Sequence, residues 1–163
     1  MPDESTTPLS SAASDVLRQP LATGTARTVV KRRIEAPPAE VFAAWLDAEG
    51  MRKWMCPANV RESRVTIDPR VGGHYRIDMV GATEVYEHEG EYLVIDPPRR
   101  LSFTWISPST NRERSVVTIE FTDRGGATDL VLTHERLPSD DMARRHNEGW
   151  ASILEKLAAR FAN

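Results

Sequence analysis

From Arg27 to His134 the chain repeatedly alternates apolar and polar positions, the two-residue period of strands that rest one face on a core. Thr28, Val30 and Ile34 share one parity in the first run, which Pro37-Pro38 stops. Val65 and Ile67 mark a second, ended by Asp68-Pro69, and Tyr75, Ile77 and Met79 a third, after Gly72-Gly73. Tyr86, His88, Tyr92 and Val94 alternate in a fourth, closed by Asp96-Pro97-Pro98. Leu101, Phe103 and Trp105 form a fifth, ended at Ser107-Pro108. Val117, Ile119 and Phe121 run into Asp123-Arg124-Gly125-Gly126, a hairpin signal, and Leu130, Leu132 and His134 follow.

Three stretches change the period. Val41, Phe42, Trp45 and Leu46 carry the stripe of a short buried helix, with Pro38 in its first turn. Asp47 is placed to cap a second short helix whose apolar side is Met51, Trp54 and Met55. After Ser139, a good N-cap followed by two acids, apolar positions recur at helical spacing through Trp150, Ile153, Leu154, Leu157 and Phe161. Gly149 interrupts this long helix at a cost of about 1 kcal/mol relative to alanine, which a close approach of helix to sheet beside Trp150 explains. Residues 1–25, rich in Ser, Thr, Pro and Ala, bury too little to offset their ordering entropy. They read as a flexible, dispensable tail, in which Asp15 to Arg18 fits one helical turn, and residues 26–163 read as one domain.

The length of 163 residues suits one domain with its own core. A net charge of −3 and scattered arginines without interleaved aromatics point away from nucleic acid. No apolar run is long enough for a membrane span, and no signal-peptide pattern follows Met1, so the cytoplasm is the expected location. Cys56, the only cysteine, can form no internal disulfide. Its neighbours supply no clear cation or helix N-terminus to activate the thiol, so it is not read as a nucleophile.

Four segments carry a resemblance: DPRVGG at 68–73, GEYLVIDPPRRLSFTW at 90–105, GGATDLVLTHERLP at 125–138 and HNEGW at 146–150. Together they resemble the activator of heat-shock ATPase-like family, within the START-like superfamily that includes polyketide cyclases and plant pathogenesis-related allergens. The likeness covers roughly residues 27–162. It implies an α+β helix-grip fold: two short helices after the first strand, a strongly bent antiparallel sheet, and a long C-terminal helix across its concave face. Many relatives carry a Trp-Trp-Gly-Pro-like stretch where this chain reads Trp54-Met55-Cys56-Pro57, which implies a softer or reshaped cavity end.

A sheet gripping a helix leaves room for a ligand between them. Trp54, Met79, Tyr86, Tyr92, Phe103, Trp105 and Trp150 are read as its aromatic and soft lining, with plain core packing as the competing role. Arg32, His88, Tyr92 and His146 are read as polar anchors. Arg32 is placed inward between Val30 and Ile34, where it holds a ligand carboxylate or pairs with Glu120. His88, His134 and His146 take inward parities and His74 an outward one. No helical i, i+4 pair or carboxylate cluster supports them, so neither a metal nor another cofactor is expected. The leading function is binding of a small apolar or amphipathic molecule by a monomer or homodimer, with no nucleic-acid or membrane partner and no assigned catalytic residue. One alternative is a cyclase or dehydratase using His88 or His146 as acid–base. The other is a chaperone-associated interaction module, which ranks last because only about 25 residues precede the domain.

Overall fold

The computed structural model describes residues 18–162. Its strands are β1 (Ala26–Ile34), β2 (Glu62–Ile67), β3 (His74–Val80), β4 (Val85–Asp96), β5 (Arg100–Trp105), β6 (Ser115–Asp123) and β7 (Thr128–Leu137). They form one antiparallel sheet in the order β1-β7-β6-β5-β4-β3-β2. Helices α1 (Pro38–Ala44) and α2 (Ala48–Trp54) follow β1, and the long helix α3 (Asp140–Phe161) ends the fold. This is the helix-grip architecture, and every alternating run is a strand of it.

The sheet curls because β4 serves two partners. Its first half pairs with β3, as in Tyr86 with Met79, and its second half with β5, as in Asp96 with Arg100. A register shift between Tyr92 and Val94 marks the change. Gly90 lies at the crossing point. A Cβ there would come within 2.0 Å of the Thr104 carbonyl oxygen and 2.6 Å of the Tyr75 ring, so only glycine lets the strands close up. The Tyr75 hydroxyl donates to the same Thr104 oxygen at 2.5 Å and secures the bend.

Helix α3 starts where the sequence places it, with Ser139 Oγ accepting from the Met142 N–H at 3.2 Å. Asp47 takes the N-cap position of α2, but its side chain makes no capping bond. Asn147 Nδ2 donates to Thr28 Oγ1 at 2.7 Å and so pins α3 to β1. Beyond it, Ile153, Leu154 and Leu157 join Ile34, Leu130 and Leu132 in the core. Each such side chain contributes about 1.5–3 kcal/mol on leaving water.

The start of the domain needs correction. Residues 1–17, with most of the turn expected at Asp15–Arg18, lie outside the described residues. Residues 19–24 are not a free tail. Leu21 bridges Arg114, and the Ala22 N–H donates to the Arg114 carbonyl at 2.9 Å. Arg136 Nη1 donates to the Ala22 carbonyl at 2.9 Å, and Arg114 Nη1 donates to that of Gln19 at 2.5 Å. Gly24 passes so near β7 that a Cβ would sit 2.1 Å from the Leu137 oxygen. These contacts run through backbone and isolated arginines, so no hydrophobic period announces them. A chain beginning at Thr25 is expected to lose about 2–4 kcal/mol relative to one beginning at Arg18, because Arg114 and Arg136 each lose an acceptor. Thermal melts of the two chains check this, and equal Tm values would contradict it.

Candidate functional site

A cavity of about 480 Å³ lies between the middle of α3 and one end of the sheet. Its wall takes residues 57–60 after α2, the facing ends of β3 and β4, the turn after β5, and α3 from Arg145 to Ile153. Met79, Trp105, Trp150 and Ile153 make a buried apolar floor. The turn after β5 is fixed by a reciprocal cap: Ser107 Oγ accepts from the Ser109 N–H, and Thr110 Oγ1 from the Ser107 N–H, both at 3.1 Å.

Beneath this floor runs a directional chain of hydrogen bonds. Trp150 Nε1–H donates to His134 Nδ1 at 3.0 Å. An indole N–H can only donate, so Nδ1 accepts and the imidazole proton sits on Nε2. That Nε2–H donates to Ser115 Oγ at 2.8 Å, and Ser115 donates its own proton to the Trp105 carbonyl at 2.6 Å. His134 is fully buried with both nitrogens used. Burial, and then the neighbouring His146 and His88, hold its pKa well below the ordinary value, so it stays neutral. The chain joins the two tryptophans of the cavity floor through β6 and β7.

The other two histidines border the cavity itself. His146 Nδ1 lies 2.8 Å from the Met142 carbonyl one helical turn back, and His88 Nδ1 lies 3.3 Å from that of Ile77. A carbonyl only accepts, so Nδ1 carries the proton in each neutral ring and Nε2 keeps a lone pair. Burial lowers the pKa of His146 and pushes that of His88 down to about 4, with the backbone carbonyls opposing in both. Ring centroids lie 4.7 Å apart for His88 and Trp105 and 4.8 Å for Trp105 and Trp150, with the planes tilted by 40° and 56°, so the three rings form a contiguous aromatic cluster.

The structure sorts the residues expected at the site. Met79, Tyr86, His88, Trp105, His146 and Trp150 line this one cavity, Tyr86 at the mouth with 43% of its surface exposed. Tyr92 and Phe103 do not; with Tyr75 and Trp105 they surround a separate, much smaller void. Trp54 packs edge-on against Trp45 at 4.8 Å, deep in the core. Arg32 shares the parity of Val30 and Ile34 yet is exposed, as is Glu120. Strand β1 is the outer strand of the sheet, so a long side chain on its core face can reach past the edge to water. Gly149 is also not the close approach expected of it. Beyond its chain neighbours and the backbone of its own helix, no atom lies within 4 Å of where its Cβ would be, and the residue borders the cavity. Sequence reading missed Val60, Ser107 and Ile153 as wall residues, and Ser115 as the link between His134 and Trp105. Ser115 has the parity of Val117 and Ile119, so its inward direction was legible even though its partners were not. The Cys56 thiol is buried and donates to the Arg52 carbonyl at 3.4 Å. Among the described residues, no three His, Cys, Asp or Glu side chains group as metal ligands, and no helix is long and apolar enough to cross a membrane.

Two predictions follow from the buried imidazoles. Their folded pKa values lie below the unfolded value, so between about pH 6.5 and 4 the unfolded chain binds more protons. Stability should therefore fall on acidification through that window, by up to about 1.4 kcal/mol per pH unit per histidine. Denaturant melts across the window should show a shallower slope for His88→Phe than for the parent, and equal slopes would contradict the account. His134→Phe should cost about 1–3 kcal/mol at neutral pH, because it strands the Trp150 N–H in the interior; an unchanged midpoint would contradict the role given to the hydrogen-bond chain.

Comparison with known proteins agrees with this architecture. The family model described as Activator of Hsp90 ATPase homolog 1-like protein matches residues 35–162. A solved protein from Chromobacterium violaceum shares 25% identity, with 83% of this chain and 96% of that chain covered and a TM-score of 0.73. An HSP90 activator from Plasmodium falciparum shares 25% identity over 84% and 96%, with a TM-score of 0.68. An AHSA1 protein from Silicibacter pomeroyi shares 28% identity over 83% and 96%, with a TM-score of 0.66. No curated protein matches the chain significantly.

Proposed function

We propose that this chain, which belongs to the Activator of Hsp90 ATPase homolog 1-like family, binds a small apolar or amphipathic molecule in the cavity between α3 and the sheet. The observation that carries this reading is the form of the cavity. Its volume of about 480 Å³ falls in the range that holds small organic ligands, and its buried floor is apolar with polar side chains around it. Gly149 supports it from the opposite direction: a residue that weakens a helix faces open space, where any side chain would take up cavity volume.

The uncharged dye Nile red, which brightens in apolar surroundings, tests the reading. Gly149→Leu should reduce its binding at least tenfold while the Tm stays level or rises, because leucine favours a helix over glycine by close to 1 kcal/mol. Dye binding that Gly149→Leu leaves unchanged, or no binding by the parent, would count against the cavity as the site.

A second reading draws on the Plasmodium falciparum relative, an HSP90 activator. On that reading the chain stimulates a heat-shock ATPase through an outer surface. The same variant separates the two, since filling the cavity from within leaves the outer faces of the sheet intact. Stimulation of the ATPase by parent and Gly149→Leu alike would favour the surface role.

A further inference from the structure

The polar atoms offered to the cavity are not a random assortment. His88 and His146 both border it, and both commit Nδ1 to a backbone carbonyl: that of Ile77 at 3.3 Å and that of Met142 at 2.8 Å. Each ring is thereby fixed in the tautomer that leaves Nε2 as a hydrogen-bond acceptor. The third imidazole of the group, His134, cannot contribute, because Trp150 and Ser115 use both of its nitrogens. The two indole donors nearby are enclosed. The Trp150 N–H is given to His134, and the Trp105 N–H is buried without a partner and has essentially no accessible surface. Ser107 Oγ accepts within its own turn, and the hydroxyls of Ser107, Tyr86, Ser109 and Ser152 belong to wall residues and can donate or accept. Charged groups on the wall, Arg145 and Glu148, are exposed on α3 and stand at the mouth with opposite signs.

Resting on the cavity reading above, we infer that the ligand is an uncharged aromatic hydroxy compound, a phenol or a fused-ring analogue of one, whose hydroxyl donates to the Nε2 lone pair of His146 or His88 while its rings lie against Trp105 and Trp150. Each feature of the wall selects one feature of that molecule. Two Nε2 acceptors in the wall favour a donating group and set lone pairs against those of a carboxylate. Neutral imidazoles in an apolar floor offer no counter-charge to an anion. The rings of His88, Trp105 and Trp150, successively tilted by 40° and 56°, offer aromatic faces and edges that suit an aromatic ligand better than a flexible alkyl chain. Carboxylates and alkyl chains are thus weak ligands, although each would fit by size.

Isosteric probes read this out on the full chain. Naphthol, naphthalene and naphthoate have the same fused rings and differ in the group presented to the imidazoles. Affinities are measured by quenching of tryptophan fluorescence at neutral pH, beside Nile red as a chemically undemanding occupant. The expected order is naphthol about tenfold tighter than naphthalene, the scale of one neutral hydrogen bond, with naphthoate weakest. His146→Phe and His88→Phe keep a ring in the wall and remove one acceptor each, and the double variant should bind naphthol and naphthalene equally. The wild-type comparison stands alone if a variant fails to fold. Equal affinity for naphthol and naphthalene, with Nile red bound, would overturn the hydroxyl-selective site and leave the cavity reading in place. Naphthoate binding tightest would overturn it in favour of recognition by Arg145 at the mouth. Failure of every probe, Nile red included, would overturn this inference together with the cavity reading.

Discussion

The hydrogen-bond chain from Trp150 through His134 and Ser115 to the Trp105 carbonyl is the constraint on which the site depends. It joins α3 to β7, β7 to β6 and β6 to β5, and each link has only one workable direction. A fully buried imidazole is costly unless both nitrogens are satisfied, and here both are. The chain therefore holds two large indoles in fixed positions without needing the helix to lie flat on the sheet beside them. On one side of Trp150 the helix is sealed by Leu154 and Leu157, and around Gly149 it stands open. Filled core and open cavity meet at a residue whose orientation its own N–H determines.

The same logic explains the division among the histidines. All three sit on inward parities, and burial lowers the pKa of each. What distinguishes them is the partner of Nδ1. An indole donor makes His134 part of the framework, whereas backbone carbonyls leave His88 and His146 with lone pairs to offer. Three residues of one type, close together, thus divide into one structural member and two groups available to a ligand. Membership of the Hsp90-activator-like family identifies the fold that brings them together, and the ligand must be argued from the wall itself.

Much of this was legible in the sequence, and the failures have physical reasons. Alternation along the strands and the stripe on α3 depend on burial alone, so elements and facing directions could be read directly, His134 included. Arg32 failed because parity gives the direction of Cβ and says nothing of where a long side chain ends on an outer strand. Tyr92, Phe103 and Trp54 were sound as inward aromatics but belong to the small void or the core, and a single sequence cannot separate a cavity wall from a core wall. Gly149 was read as a tight contact because a helical glycine signals either a contact or a gap, and only coordinates distinguish the two. The docking of residues 19–24 on Arg114 and Arg136 has no periodic signature at all.

The most direct test of the central claim uses the chain's own four tryptophans. Trp105 and Trp150 line the cavity, whereas Trp54 is packed in the core away from it. Their indole N–H groups give separate NMR signals, and these can be followed while naphthol is added to the protein. The account predicts saturable shifts of the Trp105 and Trp150 signals with Trp54 nearly still. Signals that all stay fixed, or shifts centred on Trp54, would show that the space between helix and sheet is not where this protein binds small molecules.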